Sequence, residues 1–223
     1  MKHIAIAIDG PAGSGKSTAA REVARRLGIT YLDTGAMYRS VALKALKNGI
    51  DPRDHEAVTA LLPDTDIRIC IEDDTQRFFL DGEDITGQIR TPEVSQGASD
   101  VGMNPAVRRF LVAMQQEIAR GQDVVMDGRD IGTHVLPDAP FKFFMTADSR
   151  VRAERRHKEL AEKGSDKTVE AVHEEMLLRD ANDSNRDYAP LRQAEDAVLL
   201  DTTGLTADAV VEYILSIVQA GKK

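Results

Sequence analysis

Gly10-Pro11-Ala12-Gly13-Ser14-Gly15-Lys16-Ser17-Thr18 is the stretch that decides the fold. It spells G-x-x-x-x-G-K-S/T, a phosphate-binding loop. The apolar run His3–Ile8 precedes it and a helical pattern over Ser17–Leu27 follows. This is the strand–loop–helix setting that the motif requires. Glycine lets successive backbone N–H groups turn inward around an anion, and the start of the following helix adds its positive dipole end. Lys16 is placed to reach the β- and γ-phosphates of a nucleoside triphosphate such as ATP, and the Ser17 hydroxyl to reach Mg²⁺. The motif alone does not separate a kinase from a GTPase, a motor or a regulator.

Working outward, apolar runs alternate with helical patterns. The strands expected are Ile4–Ile8, Thr30–Leu32, Asp123–Met126, Phe141–Met145 and Val198–Leu200. The helices expected are Ser17–Leu27, Ala36–Lys47, Glu93–Gly102, Ala106–Arg120, Ser149–Lys163, Thr168–Asn185 and Ala207–Gln219. This alternation predicts an α/β fold, a parallel sheet of the P-loop NTPase type covered by helices. Ligands on such a sheet sit at the carboxyl ends of the strands. From Asp64 to Ile89 the pattern breaks. Asp66–Ile71 alternates polar and apolar, Phe78–Leu80 and Glu83–Ile85 follow, and Asp73-Asp74 and Asp81-Gly82 separate them. Asp-Gly between short apolar segments is a hairpin signal, so a small antiparallel insert is expected there. Cys70 is expected in its core, and the acids around Asp73 and Asp81 on a solvated rim. Gly221-Lys222-Lys223 is expected to fray.

Composition narrows the function. The chain has 223 residues, which suits one α/β domain, and 42% are hydrophobic. No apolar run is long enough for a membrane span. Met1-Lys2-His3-Ile4 leads straight into the first expected strand, so no signal peptide is expected. The single cysteine, Cys70, allows no intrachain disulfide and fits a reducing cytoplasm. The net charge of −8 and the absence of Trp argue against nucleic acid as a partner. The histidines His3, His55, His134, His157 and His173 fit no metal spacing and read as surface or packing residues. An acidic chain that binds polyanionic nucleotides must gather its positive charge locally, so clustered arginines are the next signal.

Asp127-Gly128-Arg129-Asp130 follows the strand Val124–Met126. Its sheet position brings Asp127 and Arg129 beside the phosphate loop, where a carboxylate can hold the waters of Mg²⁺ and a guanidinium can pair with phosphate. It also reads as a tight Asp-Gly turn. In Asp33-Thr34-Gly35-Ala36-Met37-Tyr38-Arg39, Asp33 or Thr34 caps a helix whose first turns carry Tyr38 and Arg39. Arg179, Asp183 and Arg186 stand at i, i+4 and i+7 on one helix face. They are either a solvated ion-pair ladder or, with Arg108, Arg129, Arg152, Arg155 and Arg156, a group that neutralises a transferring phosphoryl.

Together these strings resemble the bacterial cytidylate kinases of the nucleoside monophosphate kinase family. The resemblance rests on Ile8–Ser17, Leu32–Arg39, Ile89–Val94, Asp127–Thr133, and Arg179-Asp180 through Asn185-Arg186, and it spans essentially the whole chain. It implies transfer of the ATP γ-phosphoryl group, with Mg²⁺, to CMP or dCMP. It also implies a cytoplasmic monomer. By position, Gly10–Thr18 would hold ATP, with Lys16, Asp127, Arg129 and Arg155 catalytic and Ser17 on the metal. Thr34, Tyr38, Ser99, Arg108 and Asp183 would meet the monophosphate nucleotide. Arg39 and Arg129 would bind its phosphate, and Asp130, Arg179 and Arg186 its base, sugar or phosphate. Arg155 and Arg156 resemble lid arginines, Arg156 facing ATP. Relatives often carry Ser at the position of Thr34, which keeps the hydroxyl. The implied division is one kinase domain, with core segments 1–33, 104–150 and 187–223. A monophosphate-binding region with the β insert spans 34–103, and a lid with its flanking helices spans 151–186. Closure of the insert and of Arg152–Lys163 would exclude water.

Cytosine offers a 4-amino donor where uracil offers a carbonyl. An oxygen of Ser99, Asp130 or Asp183 can accept from the first and would oppose the second. Two alternatives stand beside this reading. One is a kinase for another monophosphate such as UMP. The other is a nucleotide switch GTPase, against which stands the absence of an Asn-Lys-x-Asp motif.

Overall fold

The computed structural model describes residues 3–72, 75–162 and 164–221. The expected turn at Asp73-Asp74, the helix end at Lys163 and the tail Lys222-Lys223 lie outside the described residues. The chain divides into two compact units, one of residues 1–31 and 121–223, the other of residues 32–120.

The first unit is built on a sheet of order β2-β6-β1-β7-β8, formed by β1 (Ala5–Asp9), β2 (Thr30–Asp33), β6 (Val124–Gly128), β7 (Phe141–Thr146) and β8 (Val198–Asp201). β2 opens in this unit and carries the chain into the second. β1 pairs in parallel with β6 and β7, and β7 in parallel with β8. The strands read as near-continuous apolar runs because a parallel sheet is covered on its faces. On one face α1 (Lys16–Leu27) and α8 (Ala207–Ala220) pack Ala20, Val23, Val211 and Ile214 onto Ile6, Ile8, Phe143 and Met145. Fully burying side chains of this size contributes roughly 1.5–3 kcal/mol each. α1 ends at Gly28, whose φ of 64° makes the left-handed stop and whose N–H reaches back to Ala24 and Arg25. α6 (Ser149–Ala161) and α7 (Val169–Asn185) close a smaller cluster of Ala153, Val172 and Met176. A π-helical turn spans Ile131–Val135, and the sequence pattern does not reveal it.

The second unit holds α2 (Thr34–Lys47), α3 (His55–Leu61), β3 (Ile67–Glu72), β4 (Thr75–Leu80), β5 (Glu83–Asp84), α4 (Pro92–Val101) and α5, which starts at Pro105. The expected antiparallel insert is present, in order β3-β4-β5. Leu80 pairs with Glu83 across Asp81-Gly82, and both turn residues have positive φ, 51° and 84°. That is the backbone of a two-residue hairpin turn that matches strand twist. One expectation within the insert is corrected. Cys70 is exposed rather than core, because alternation marks which residues share a face but not which face is covered. Asp81 is exposed on the rim as expected, where it pairs with Lys44 and accepts from the Asp66 N–H at 3.0 Å. α2 and α4 approach closely at Gly97, where a Cβ would come within 3.2 Å of the Ala42 methyl.

Candidate active site

At the carboxyl end of β1 the chain must turn abruptly into the phosphate loop. Gly10 takes a φ of 149°, and a Cβ there would lie 2.0 Å from the carbonyl oxygen of Met145, so no other residue fits. Lys16 opens α1 and is buried. Its Nζ donates to the Pro11 carbonyl at 2.7 Å, folding the side chain over the loop. Burial pushes the Lys16 ammonium down to about 7; Arg129 acts in the same direction and Asp127 opposes it.

The sheet register sets Ile8 against Asp127, so β6 delivers this carboxylate alongside the loop. Ser17 Oγ donates to Asp127 Oδ2 at 2.5 Å, and the phenol of Tyr31 donates to Oδ1 at 2.8 Å. Lys16, Ser17 and Asp127 are thus brought together, as their spacing predicts.

The next group stands just past the end of β6 and at the end of α7. Arg129 Nε donates to Asp183 Oδ2 at 2.7 Å, and Arg186 lies 3.6 Å from the other carboxylate oxygen. Arg186 also approaches Asp130 at 3.5 Å and donates from Nε to the Ala189 carbonyl at 2.5 Å. Asp183 is 8% exposed and Arg186 6%, so the solvated-ladder reading of this face is excluded. Burial works to raise the Asp183 pKa. Arg129, Arg179 and Arg186 outweigh it and hold the group below the usual carboxylate range. Burial likewise works against the charge on Arg129, and Asp183 outweighs it.

The arginines of α6 differ among themselves. Arg152 is buried, spent on the carbonyls of Ala147 and Ala12 and on Asp180. Arg155 donates to the Thr202 hydroxyl at 3.1 Å and its carbonyl at 2.7 Å. Thr202 in turn donates to the Ser14 carbonyl at 3.0 Å, tying Arg155 indirectly to the loop. Arg156 stands apart from the others, paired with Glu159.

Within the second unit, Asp33 rather than Thr34 caps α2, accepting from the Ala36 N–H at 2.9 Å. Its other oxygen accepts from Arg39 at 2.9 Å and lies 3.6 Å from Arg90. Thr34 is buried in the first turn. The Arg108 guanidinium is buried and lies 5.3 Å over the ring of Tyr38. Ser99 is half-buried on α4.

One buried carboxylate escapes sequence reasoning. Asp9 accepts from the Ile131 N–H at 2.8 Å and the Gly132 N–H at 2.7 Å, capping the π-helical turn from another strand. Burial raises its pKa to about 7, against the pull of those two N–H groups. The available signal is its place at a strand end, directly before the loop.

A family model described as cytidylate kinase matches residues 6–220. A cytidylate kinase of Caldicellulosiruptor bescii is 52% identical over 217 residues, 97% of this chain and 96% of the relative. One from Caldanaerobacter subterraneus subsp. tengcongensis is 50% identical over 220 residues, 99% of this chain and 96% of the relative. Among solved structures, a gluconokinase from Sinorhizobium meliloti 1021 aligns with 99% of this chain and 95% of its own at a TM-score of 0.51 and 15% identity, a likeness of fold alone. On the family model and the near full-length identity together, this chain belongs to the cytidylate kinase family.

Proposed function

We propose that the chain transfers the γ-phosphoryl group of ATP to CMP or dCMP, giving ADP and CDP or dCDP. The observation that carries the reading is the pairing, within one unit, of the loop group Lys16–Ser17–Asp127 with a cluster in which half-buried Arg129 and buried Arg186 flank the buried Asp183. The first suits a triphosphate. The second offers guanidiniums for an acceptor phosphate and a carboxylate that stays ionised and accepts hydrogen bonds, as the 4-amino group of cytosine requires.

An oxygen of the acceptor phosphate attacks the γ-phosphorus, and the bond from that phosphorus to the β,γ-bridging oxygen breaks, leaving ADP. The attacking oxygen is already ionised, so no general base is needed. Lys16 and Arg129 stabilise charge spread over the transferring group, and Arg39 and Arg108 add positive charge on the acceptor side. Asp130, Arg179 and Arg186 orient the base and sugar. Thr34, Tyr38 and Ser99 line the acceptor region, Gly10–Thr18 cradle the donor phosphates, and Arg155 and Arg156 close over them.

The donor set suits Mg²⁺. The Ser17 hydroxyl, able to meet the ion, and the Asp127 carboxylate, able to hold its waters, lie at one point, and among the described residues no trio of His, Cys, Asp or Glu forms a closed protein cage. Mg²⁺ characteristically takes one or two protein ligands and completes its shell with water and phosphate. When bound, it supplies positive charge to the phosphate oxygens. We place the reaction in the cytoplasm and assign it to a monomer. No helix among the described residues is long and apolar enough to cross a membrane.

The test is ADP formation from ATP and Mg²⁺ with CMP, dCMP, UMP, AMP and GMP, and without acceptor. Turnover with CMP and dCMP well above the others is expected. Preference for UMP or AMP would overturn the base assignment, and hydrolysis without acceptor would overturn the transferase reading.

A further inference from the structure

The tip of the phosphate loop is held from outside the loop. Ala12 donates its N–H to Asp180 Oδ1 at 3.4 Å, and its carbonyl accepts from Arg152 Nη1 at 2.9 Å. Those two side chains are themselves paired at 2.6 Å. One ion pair between α6 and α7 therefore satisfies both polar backbone groups of a single loop residue. Arg152 is fixed a third time, donating from Nε to the Ala147 carbonyl beyond β7 at 3.0 Å. It is 6% exposed. Packing adds an independent observation. The Ala12 side chain lies against the Ala153–Val172–Met176 cluster. At Gly13, φ 72°, a Cβ would meet Met176 Cε at 2.8 Å and the Arg152 carbonyl at 2.9 Å.

We infer that Arg152 and Asp180 are positioning residues for the donor: their ion pair acts through the backbone of Ala12 to hold the tip of the phosphate loop in the shape that receives a polyphosphate. This rests on the reading of the loop as an ATP site. It departs from the simpler role of Arg152 as a charge that touches the transferring phosphoryl. A guanidinium with three fixed partners supplies geometry, and the planar fork of arginine allows it to serve carbonyl, carbonyl and carboxylate at once. Lysine at this position would keep the charge and lose the fork.

The experiment measures ATP and CMP affinities separately by calorimetry, with melting midpoints, for the full chain, Arg152→Lys and Asp180→Asn. Arg152→Lys is expected to weaken ATP about tenfold and leave CMP within twofold. Asp180→Asn decides between the two roles. A guanidinium that binds phosphate directly is released when its carboxylate partner goes, and ATP binds as well or better. A guanidinium that works through Ala12 loses its aim, and ATP binds more weakly. The inference fails if Arg152→Lys binds ATP within twofold of the parent, if Asp180→Asn binds it as tightly or more tightly, or if both ligands weaken together as the midpoint falls. A parent chain that binds no ATP overturns the site reading as well; a parent that binds ATP beside unaffected variants overturns only this inference. Should Arg152→Lys fail to fold, the Asp180→Asn result stands alone, since the two roles predict opposite signs.

Discussion

Asp183 shows how much can depend on one side chain. It is the anion that lets the half-buried Arg129 and the buried Arg186 stand side by side. Replacing it by Asn keeps the shape, removes the charge and turns half of the acceptor into a donor. We expect Asp183→Asn to lower the CMP-to-UMP ratio of kcat/KM by tenfold or more, and to cost about 3 kcal/mol of stability as a broken buried pair. An unchanged ratio would remove Asp183 from base recognition. Asp9 makes a different residue-scale prediction. Its folded pKa, about 7, lies above its ordinary value of 3.8. A raised carboxyl contributes stability that is fully present below the unfolded value and lost as pH rises through the folded one. The melting advantage of the parent over Asp9→Asn should therefore shrink between pH 5 and pH 8, by about 2–3 kcal/mol in stability. A gap that stays constant with pH would mean that Asp9 is ionised throughout.

At the scale of elements, the insert hairpin offers the cleanest test. Gly82 has a φ of 84°, and nothing lies within 4 Å of where its Cβ would be. Gly82→Ala therefore probes backbone conformation without a clash. It should destabilise the protein by about 1 kcal/mol in denaturant titration and leave turnover unchanged. This turn was legible because its chemistry is local: Asp81-Gly82 between apolar segments carries the hairpin by itself. β1, the phosphate loop and α1 were legible for the same reason. Short elements and remote partners were not. α3 buries only Val58, so its periodicity is faint, and the Asp54 cap that starts it is a weak signal alone. The π-helical turn at Ile131–Val135 takes its shape from Asp9, whose bonding partners lie 122 and 123 positions away. The hold of Arg152 and Asp180 on Ala12 is hidden likewise, since a run of helical arginines does not show which of them turns inward to a carbonyl. Resemblance to a family could number the residues of the site, but it could not report that Arg155 and Arg152 serve different backbone partners.

For the whole molecule, binding is linked to stability. A ligand that binds only the folded chain stabilises it by about 2.7 kcal/mol at a concentration one hundred times its Kd. For a chain of this size, that corresponds to roughly 5–10 °C in the melting midpoint. ATP should raise the midpoint by this order. CMP should raise it more than UMP does at the same concentration, and equal shifts would argue against cytosine selection in binding.

The strand order carries a consequence for synthesis. β1 emerges from the ribosome well before both of its neighbours in the sheet, β6 and β7, which lie after residue 123. The segment 32–120 forms a compact unit within an unbroken stretch of chain. It can collapse while the first strand is still waiting for its partners. Until translation has passed Thr146, the apolar edge of Ile6 and Ile8 must be shielded by something other than its own sheet. A nascent chain stalled near residue 125 should therefore engage chaperones through its first strand, and one stalled after β7 should release them.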